Sequence, residues 1–258
     1  YLPSLMSGEA TATVALDEER FFNPDAVATS EVSGALKGHK TRVLDVGQCS
    51  RIFCVAERAS GERGIAMFAP SAEGVTIGSR RMMDLHSADS IQLDGLSTED
   101  VVWLAGDEVE VGIQRTIDQA TIVLAAEMMG SAREVLERTV AYLGEREQFD
   151  VKLGTFQALQ HRCAHMYCEL ELAESAVSAA LTALDHAGPN VSLLASSAKA
   201  LANDCFTLIS SEAVQLHGGM GVTEEMDIGL FLKRSRVCNQ LLGGSSYHRD
   251  CYARLNGF

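Results

Sequence analysis

Three stretches of the chain hold residue types that could do chemistry. In "QLLGGSSYHR" (240–249), Ser245 and Ser246 place hydroxyls near the imidazole of His248, the raw material of nucleophilic catalysis. No nucleophile-elbow motif surrounds them, and serines beside glycine are ordinary turn formers. The seven histidines show no i, i+4 pair with a carboxylate at metal-ligand spacing, so no metal is expected. In "VQLHGGMGVTEE" (214–225), Gly218, Gly219 and Gly221 let the backbone approach a ligand closely. They close a helix and do not open one after a strand, which excludes the dinucleotide fingerprint. "YLGEREQFDVKLGTFQALQHR" (142–162) joins two helical patterns. Arg146 falls in a last helical turn, where a cation complements the helix dipole, and Phe149 and Phe156 read as core residues. The acids Glu127, Glu134 and Glu171 read as solvent-facing; a buried one would be a candidate base.

Composition narrows the field. The 258 residues carry 35 acids against 21 bases, a formal net charge of −14. That excludes nucleic acid as the default partner, because a phosphate backbone wants a basic footprint. The hydrophobic content of 47% can fill a real core in one large or two modest domains. Cys49, Cys54, Cys163, Cys168, Cys205, Cys238 and Cys251 are odd in number and never spaced Cys-x-x-Cys, so they read as buried thiols in a reducing compartment. With no apolar run of about 18 residues and no basic-then-apolar leader, the expected location is cytoplasmic, with no membrane contact.

Two textures organise the chain. From Ala10 to Asp100 apolar residues come in short alternating runs split by turns: "TATVALDE", "TRVLDVG", "SRIFCVAERASGERGIAMFAP", "GVTIGS" and "DSIQLDGL". Each suits a strand of an antiparallel sheet, with "ASGERG" (59–64) as a hairpin loop. After Trp103 the period becomes helical. Leu124, Met128, Ala132, Val135, Thr139 and Leu143 share one face of a segment ending near Gln148. Leu159, Cys163, Met166, Leu170, Ala173, Val177, Leu181 and Leu184 repeat the pattern, and "HAGPN" (186–190) stops it. Leu194, Ala198, Leu201, Cys205, Leu208 and Glu212 mark a third helix, closed by Gly218 and Gly219, and Leu230 to Leu242 a shorter fourth. The predicted fold class is α+β: an antiparallel β-sheet domain over 1–110, then a four-helix bundle over 111–258.

Taken in order, four segments resemble the acyl-CoA dehydrogenase family. "YLPSLMSGEATATVALDE" resembles the entry into its β-domain, and "MMDLHSADSIQLDGLSTEDVVWLAG" its last strands and exit loop. "REQFDVKLGTFQALQHRCAHM" is similar to the signature around a flavin-contacting arginine, and "AVQLHGGMGVTEEMDIGLFLKRSR" to the second signature. The resemblance implies FAD as cofactor and α,β-desaturation of an acyl-CoA substrate, with electrons passing to an electron-transfer flavoprotein or similar acceptor. It also implies a further helical domain N-terminal to these two, no counterpart of which is expected within these 258 residues, so the resemblance implies either a fragment of a longer product or a partner covering that face. By position Arg146, Phe149 and Gln157, with Gln215, Leu216, His217, Gly218 and Gly219, should meet the FAD of a neighbouring subunit.

Departures from the family pattern concentrate on the reacting end. Leu242 takes the place of the usual catalytic glutamate, with Gly243, Gly244 and Ser246 following it, and leucine cannot accept a proton. Ala120 stands at the alternative base position. Asp118 matches an acid that helps orient substrate, while the arginine after it is replaced by Thr121. The segments that should face the flavin ring read "ERFFNPDAV" and "TRVLDVG" instead of the family's motifs. The resemblance therefore implies no catalytic residue in this chain and a catalytic partner subunit whose FAD site it completes, as in α2β2 heterotetramers acting on steroid side chains. The alternatives are a self-sufficient homomeric enzyme using Asp118 or Glu127, and a flavin-free structural or regulatory subunit.

Overall fold

The computed structural model describes residues 1–223 and 225–258, which divide into two compact units, Tyr1–Gln114 and Arg115–Phe258. A short helix, α1 (Leu2–Met6), opens the first unit. Eight strands follow: β1 (Ala12–Ala15), β2 (Ser30–Val32), β3 (Ala35–Leu44), β4 (Arg51–Glu57), β5 (Arg63–Phe68), β6 (Val75–Gly78), β7 (Ala88–Ser97) and β8 (Val102–Leu104). They form one sheet in the order β6-β7-β3-β2-β4-β5-β8, with β1 also paired to β4. Most pairings are antiparallel, as the alternating runs predict, but β1 and β2 each join β4 in parallel. Period-2 patterning sets which face of a strand is buried and says nothing about the direction of its neighbour.

The sheet buries Leu36, Ile52, Cys54, Phe68, Ile91, Leu93 and Leu96 on one face. Two irregularities in β3 shape the unit. Opposite Leu36 and Lys37, β7 carries an extra residue, Gly95, whose φ of 81° suits glycine. Between Lys40 and Val43 the extra residue lies in β3 itself, and Arg42 there has φ 52°. A bulge re-aims a side chain, and this one turns Arg42 toward the segment after β1.

The second unit is helical. α2 (Asp107–Glu145) starts just before it, and α3 (Gln157–Asp185), α4 (Val191–His217), α5 (Ile228–Gln240) and α6 (Ser245–Leu255) complete it. Between α2 and α3 lies a two-stranded hairpin, β9 (Glu147–Gln148) with β10 (Val151–Lys152). Among the described residues the bundle therefore has five helices where the periodicity predicts four. α6 is polar along most of its length (SSYHRDCYARL), so no apolar stripe announces it.

α4 forms the middle of the bundle. Its Ala195, Ala198, Ala202, Cys205, Phe206, Ile209 and Ala213 are buried, and small side chains let neighbours approach closely. The expected face is rotated: Leu201 is 38% exposed and Glu212 pairs with Arg162 at 2.5 Å. On α2 and α3 the stripes fall as the period predicts, with Met128, Ala132, Val135, Thr139, Leu143, Met166, Leu170, Ala173 and Val177 buried. Truncating Phe206, fully buried in this core, would remove about 3–5 kcal/mol of stability. Among the described residues, no helix is long and apolar enough to cross a membrane.

Candidate functional site

The residues singled out in the helical unit gather into two clusters at opposite ends of the bundle. Ser192, at the start of α4, donates its hydroxyl to Asp118 of α2 at 2.5 Å. Tyr142, near the end of α2, stacks on His217 at the end of α4, with ring centroids 4.3 Å apart and 24° between planes. The two helices therefore run parallel. Asp118 and Tyr142 are separated by about 36 Å along α2 at 1.5 Å rise per residue.

The Tyr142 end holds both signatures. Arg146 donates its backbone N–H to the Tyr142 carbonyl at 2.8 Å, so the β9–β10 hairpin grows directly from the stacked residue. Tyr142 Oη also donates to the His217 carbonyl at 3.4 Å. His217 is buried; its Nδ1 lies 2.8 Å from the Ala213 carbonyl, which makes Nδ1 the donor and leaves Nε2 buried without a partner. Leu216 is buried beside it, whereas Gln215, Gly218 and Gly219 are exposed. Gly218 has φ 60° and ψ −138°, a conformation side chains resist, and a Cβ at Gly218 or Gly219 would meet open space. The backbone there is free to approach a ligand.

The hairpin tip is the strained part of this end. Phe149 has φ 57° and Asp150 φ 63°, left-handed values at both central residues of a two-residue turn that favours Asn-Gly. Phe149 is 83% exposed, which overturns its reading as a core residue: the left-handed turn throws the ring outward. Phe156 is exposed too, so it is no core residue either, and it meets that ring edge-on at 6.2 Å. Arg146 is exposed and, like Arg115 and Arg236 of the same unit, forms no ion pair among the described residues, while Arg133, Arg138, Arg162, Arg234 and Arg249 are each paired with acids. Gln157, the first residue of α3, is exposed. An unpaired guanidinium, an outward aromatic and open glycine backbone fit the diphosphate and adenylate end of a dinucleotide.

The opposite end is built differently. Leu242 has φ 56° and Gly243 φ 100°. A Cβ on Gly243 would lie 2.6 Å from the Tyr247 ring. The Leu242 carbonyl accepts from His248 Nε2 at 2.8 Å, and the Gly243 carbonyl accepts from Lys199 Nζ at 3.1 Å. Ser245 donates to Asp204 at 2.6 Å, so Ser245, Ser246 and His248 form no nucleophile–base pair. Ala120 is exposed and Asp118 is buried. Glu127 is exposed and engaged by Arg234 of α5 in a bidentate pair at 2.8 and 3.0 Å. The buried Thr121 hydroxyl has no hydrogen-bond partner.

In the sheet unit the two segments expected to face a flavin ring are tied to each other. Arg42 Nε donates to Asp17 Oδ2 at 3.0 Å, and Nη1 to the Arg20 carbonyl at 2.8 Å. Lys40, fully buried, donates to Glu18 Oε1 at 2.6 Å, and Glu18 also accepts from the Ala28 and Thr29 amides. Burial pushes the Glu18 carboxyl up, but these hydrogen bonds outweigh it and hold it below its usual range. Asp17 is raised by burial despite Arg42. Arg42 and Lys40 are thereby committed to partners within their own chain. Sequence reasoning missed Lys40 and Lys199, since an isolated lysine reads as surface.

The acyl-CoA dehydrogenase C-terminal domain family matches residues 112–255. Acyl-CoA dehydrogenase FadE34 of Mycobacterium tuberculosis is 41% identical over 138 residues, which cover 53% of this chain and 19% of that protein. Acyl-CoA dehydrogenase IpdE2 of Mycolicibacterium smegmatis is 40% identical over 130 residues, 50% of this chain and 40% of its own length. The chain thus matches less than half of either relative. Among solved structures, the steroid ACAD Tcur3481-Tcur3483 is 27% identical with a TM-score of 0.87, covering 99% of this chain and 69% of that one. The ChsE4-ChsE5 complex from Mycobacterium tuberculosis shares the fold at 24% identity and TM-score 0.85, over 99% of this chain and 69% of that one. With more than half its length inside the family's C-terminal domain and both units superposable on its solved members, this chain belongs to the acyl-CoA dehydrogenase family.

Proposed function

We propose that the chain is the non-catalytic subunit of a heteromeric, FAD-dependent acyl-CoA dehydrogenase, and that it completes the cofactor site of a catalytic partner. The observation that carries this is the contrast between the two ends of the bundle. One end presents Arg146 unpaired, Phe149 outward and open glycine backbone. At the other, the family resemblance sets Leu242 at the position of the proton acceptor, and the acids Asp118 and Glu127 are engaged by Ser192 and Arg234. Desaturation needs a base beside the α-carbon of the thioester, and a side chain without a lone pair cannot serve.

FAD supplies hydride acceptance when bound. In this reading Arg146 pairs with its diphosphate, Phe149 packs on the adenylate end, and Gln215, Gly218 and Gly219 meet it through amide and backbone groups. Leu216 and Tyr142 stiffen the support, His217 holds the two signatures together, and Gln157 stands at the entry to α3. In the same reading the chain's own ring-facing segments are not used for flavin, and Arg42 is paired with Asp17 instead. The similarity to a steroid enzyme supports a bulky acyl-CoA, a steroid side chain, as the substrate of the complex, with the two chains as a heterotetramer and an electron-transfer flavoprotein or similar acceptor. Replacing Arg146 with alanine tests the cofactor contact. Flavin occupancy of the co-purified complex should fall at least tenfold in apparent affinity, as losing a charged hydrogen bond of about 1.5–3 kcal/mol requires. Unchanged occupancy would remove Arg146 from the site.

A further inference from the structure

One side of α3 faces outward without carrying charge. His161, Ala164, Cys168, Leu172, Ser175 and Ala179 recur at intervals of three and four residues, so they share one face of the helix, and all six are exposed. Leu172 is 62% exposed, and Cys168 is a free thiol. The buried stripe of Met166, Leu170, Ala173 and Val177 lies on the opposite side. The outer face of a long helix ordinarily carries charged residues, and this chain has 35 acids and 21 bases to place. None of them falls on this strip, which runs about 27 Å at 1.5 Å rise per residue. Its flanks are charged but internally matched. On one, His165 Nε2 lies 3.6 Å from Glu169 Oε1; on the other, Arg133 holds Glu171 at 2.9 Å.

We propose that a second copy of this chain docks on this face, α3 against α3 and antiparallel. Two chains of net charge −14 repel each other, and a strip free of acids is where they can meet. Alanine, cysteine and serine let two helices approach to the near limit of packing, about 8 Å between axes. The strip is also complementary to itself. A two-fold axis beside Cys168 sets Leu172 of each copy against Ala164 of the other, large against small. The same axis brings His165 of each copy beside Glu169 of the other, so imidazole and carboxylate meet twice. With Cα atoms about 2.3 Å from each axis, the two Cys168 Cα atoms come within about 4–6 Å, the span of a disulfide. At a helix width of about 10 Å the strip covers about 270 Å² per copy, the low end of interface sizes, so the association is weak and depends on concentration. Within the proposed heterotetramer the same face joins the two copies of this chain; that placement rests on the proposed function, and the contact itself does not.

The full chain purified alone tests this. Under reducing conditions its sedimentation should shift from monomer toward dimer between about 1 and 100 μM, the range expected of so small an interface. Copper–phenanthroline, which takes two electrons from a pair of thiols, should give a cross-linked dimer that Cys168→Ser loses. Leu172→Glu sets an acid on the strip at an exposed position; it should leave Tm unchanged and weaken association at least tenfold. A chain monomeric throughout that range, a cross-link that survives Cys168→Ser, or a dimer indifferent to Leu172→Glu would overturn the contact. So would a Cys168 thiol that iodoacetamide labels equally fast in dilute and concentrated chain but not in the co-purified complex, a result that gives the face to the catalytic subunit instead.

Discussion

Phe149 and Asp150 occupy backbone conformations that asparagine and glycine adopt with far less strain. Strain of about 1–3 kcal/mol per residue persists only where the surroundings enforce it, and here the ring it displays is almost fully exposed. The double substitution Phe149→Asn, Asp150→Gly should therefore raise the stability of the isolated chain by about 1 kcal/mol, read as a higher Tm. The same variant should lower flavin retention in the complex. A variant that gains stability and keeps flavin would show that the tip has no binding role. At this scale the sequence was only partly legible. Arg146, Gln215 and the glycines stand out through motif spacing, and Leu242 through its mismatch. The outward turn of Phe149 depends on two dihedral angles that aromatic content does not reveal. The orphaned nitrogens of His217 and His248 arise from tertiary burial.

At the scale of elements, the long helices were readable because their apolar residues recur at helical spacing over many turns, as on α3 from Met166 to Val177. α6 was not, because its docking on α4 rests on polar contacts of Asp204 with Ser245 and Arg249. The three-residue β2 was too short to carry a pattern. Its neighbour segment is fixed by Glu18, which binds the Ala28 and Thr29 amides and Lys40 together. Removing only one partner of this pair leaves a buried charge. Lys40→Met should cost about 3–5 kcal/mol and loosen 16–29, and the Lys40→Met, Glu18→Gln double variant should recover part of that loss. Denaturant unfolding of the three proteins measures it; equal stability for Lys40→Met and wild type would mean the pair holds nothing.

For the whole molecule, the division of labour runs along the bundle. About 36 Å of α2 separates Tyr142, stacked on His217, from Asp118, tied to Ser192. The sheet unit adds a third element, an Arg42–Asp17 pair in the region where the family resemblance sets the flavin-facing segments. Under the proposed function, a chain arranged this way supports another subunit's reaction and performs none alone. The most direct measurement is the flavin spectrum and acyl-CoA-dependent dye reduction of this chain purified alone and co-purified with its catalytic partner. Colourless, inactive protein alone and a yellow, active complex are expected. Yellow, active protein from this chain alone would contradict the account.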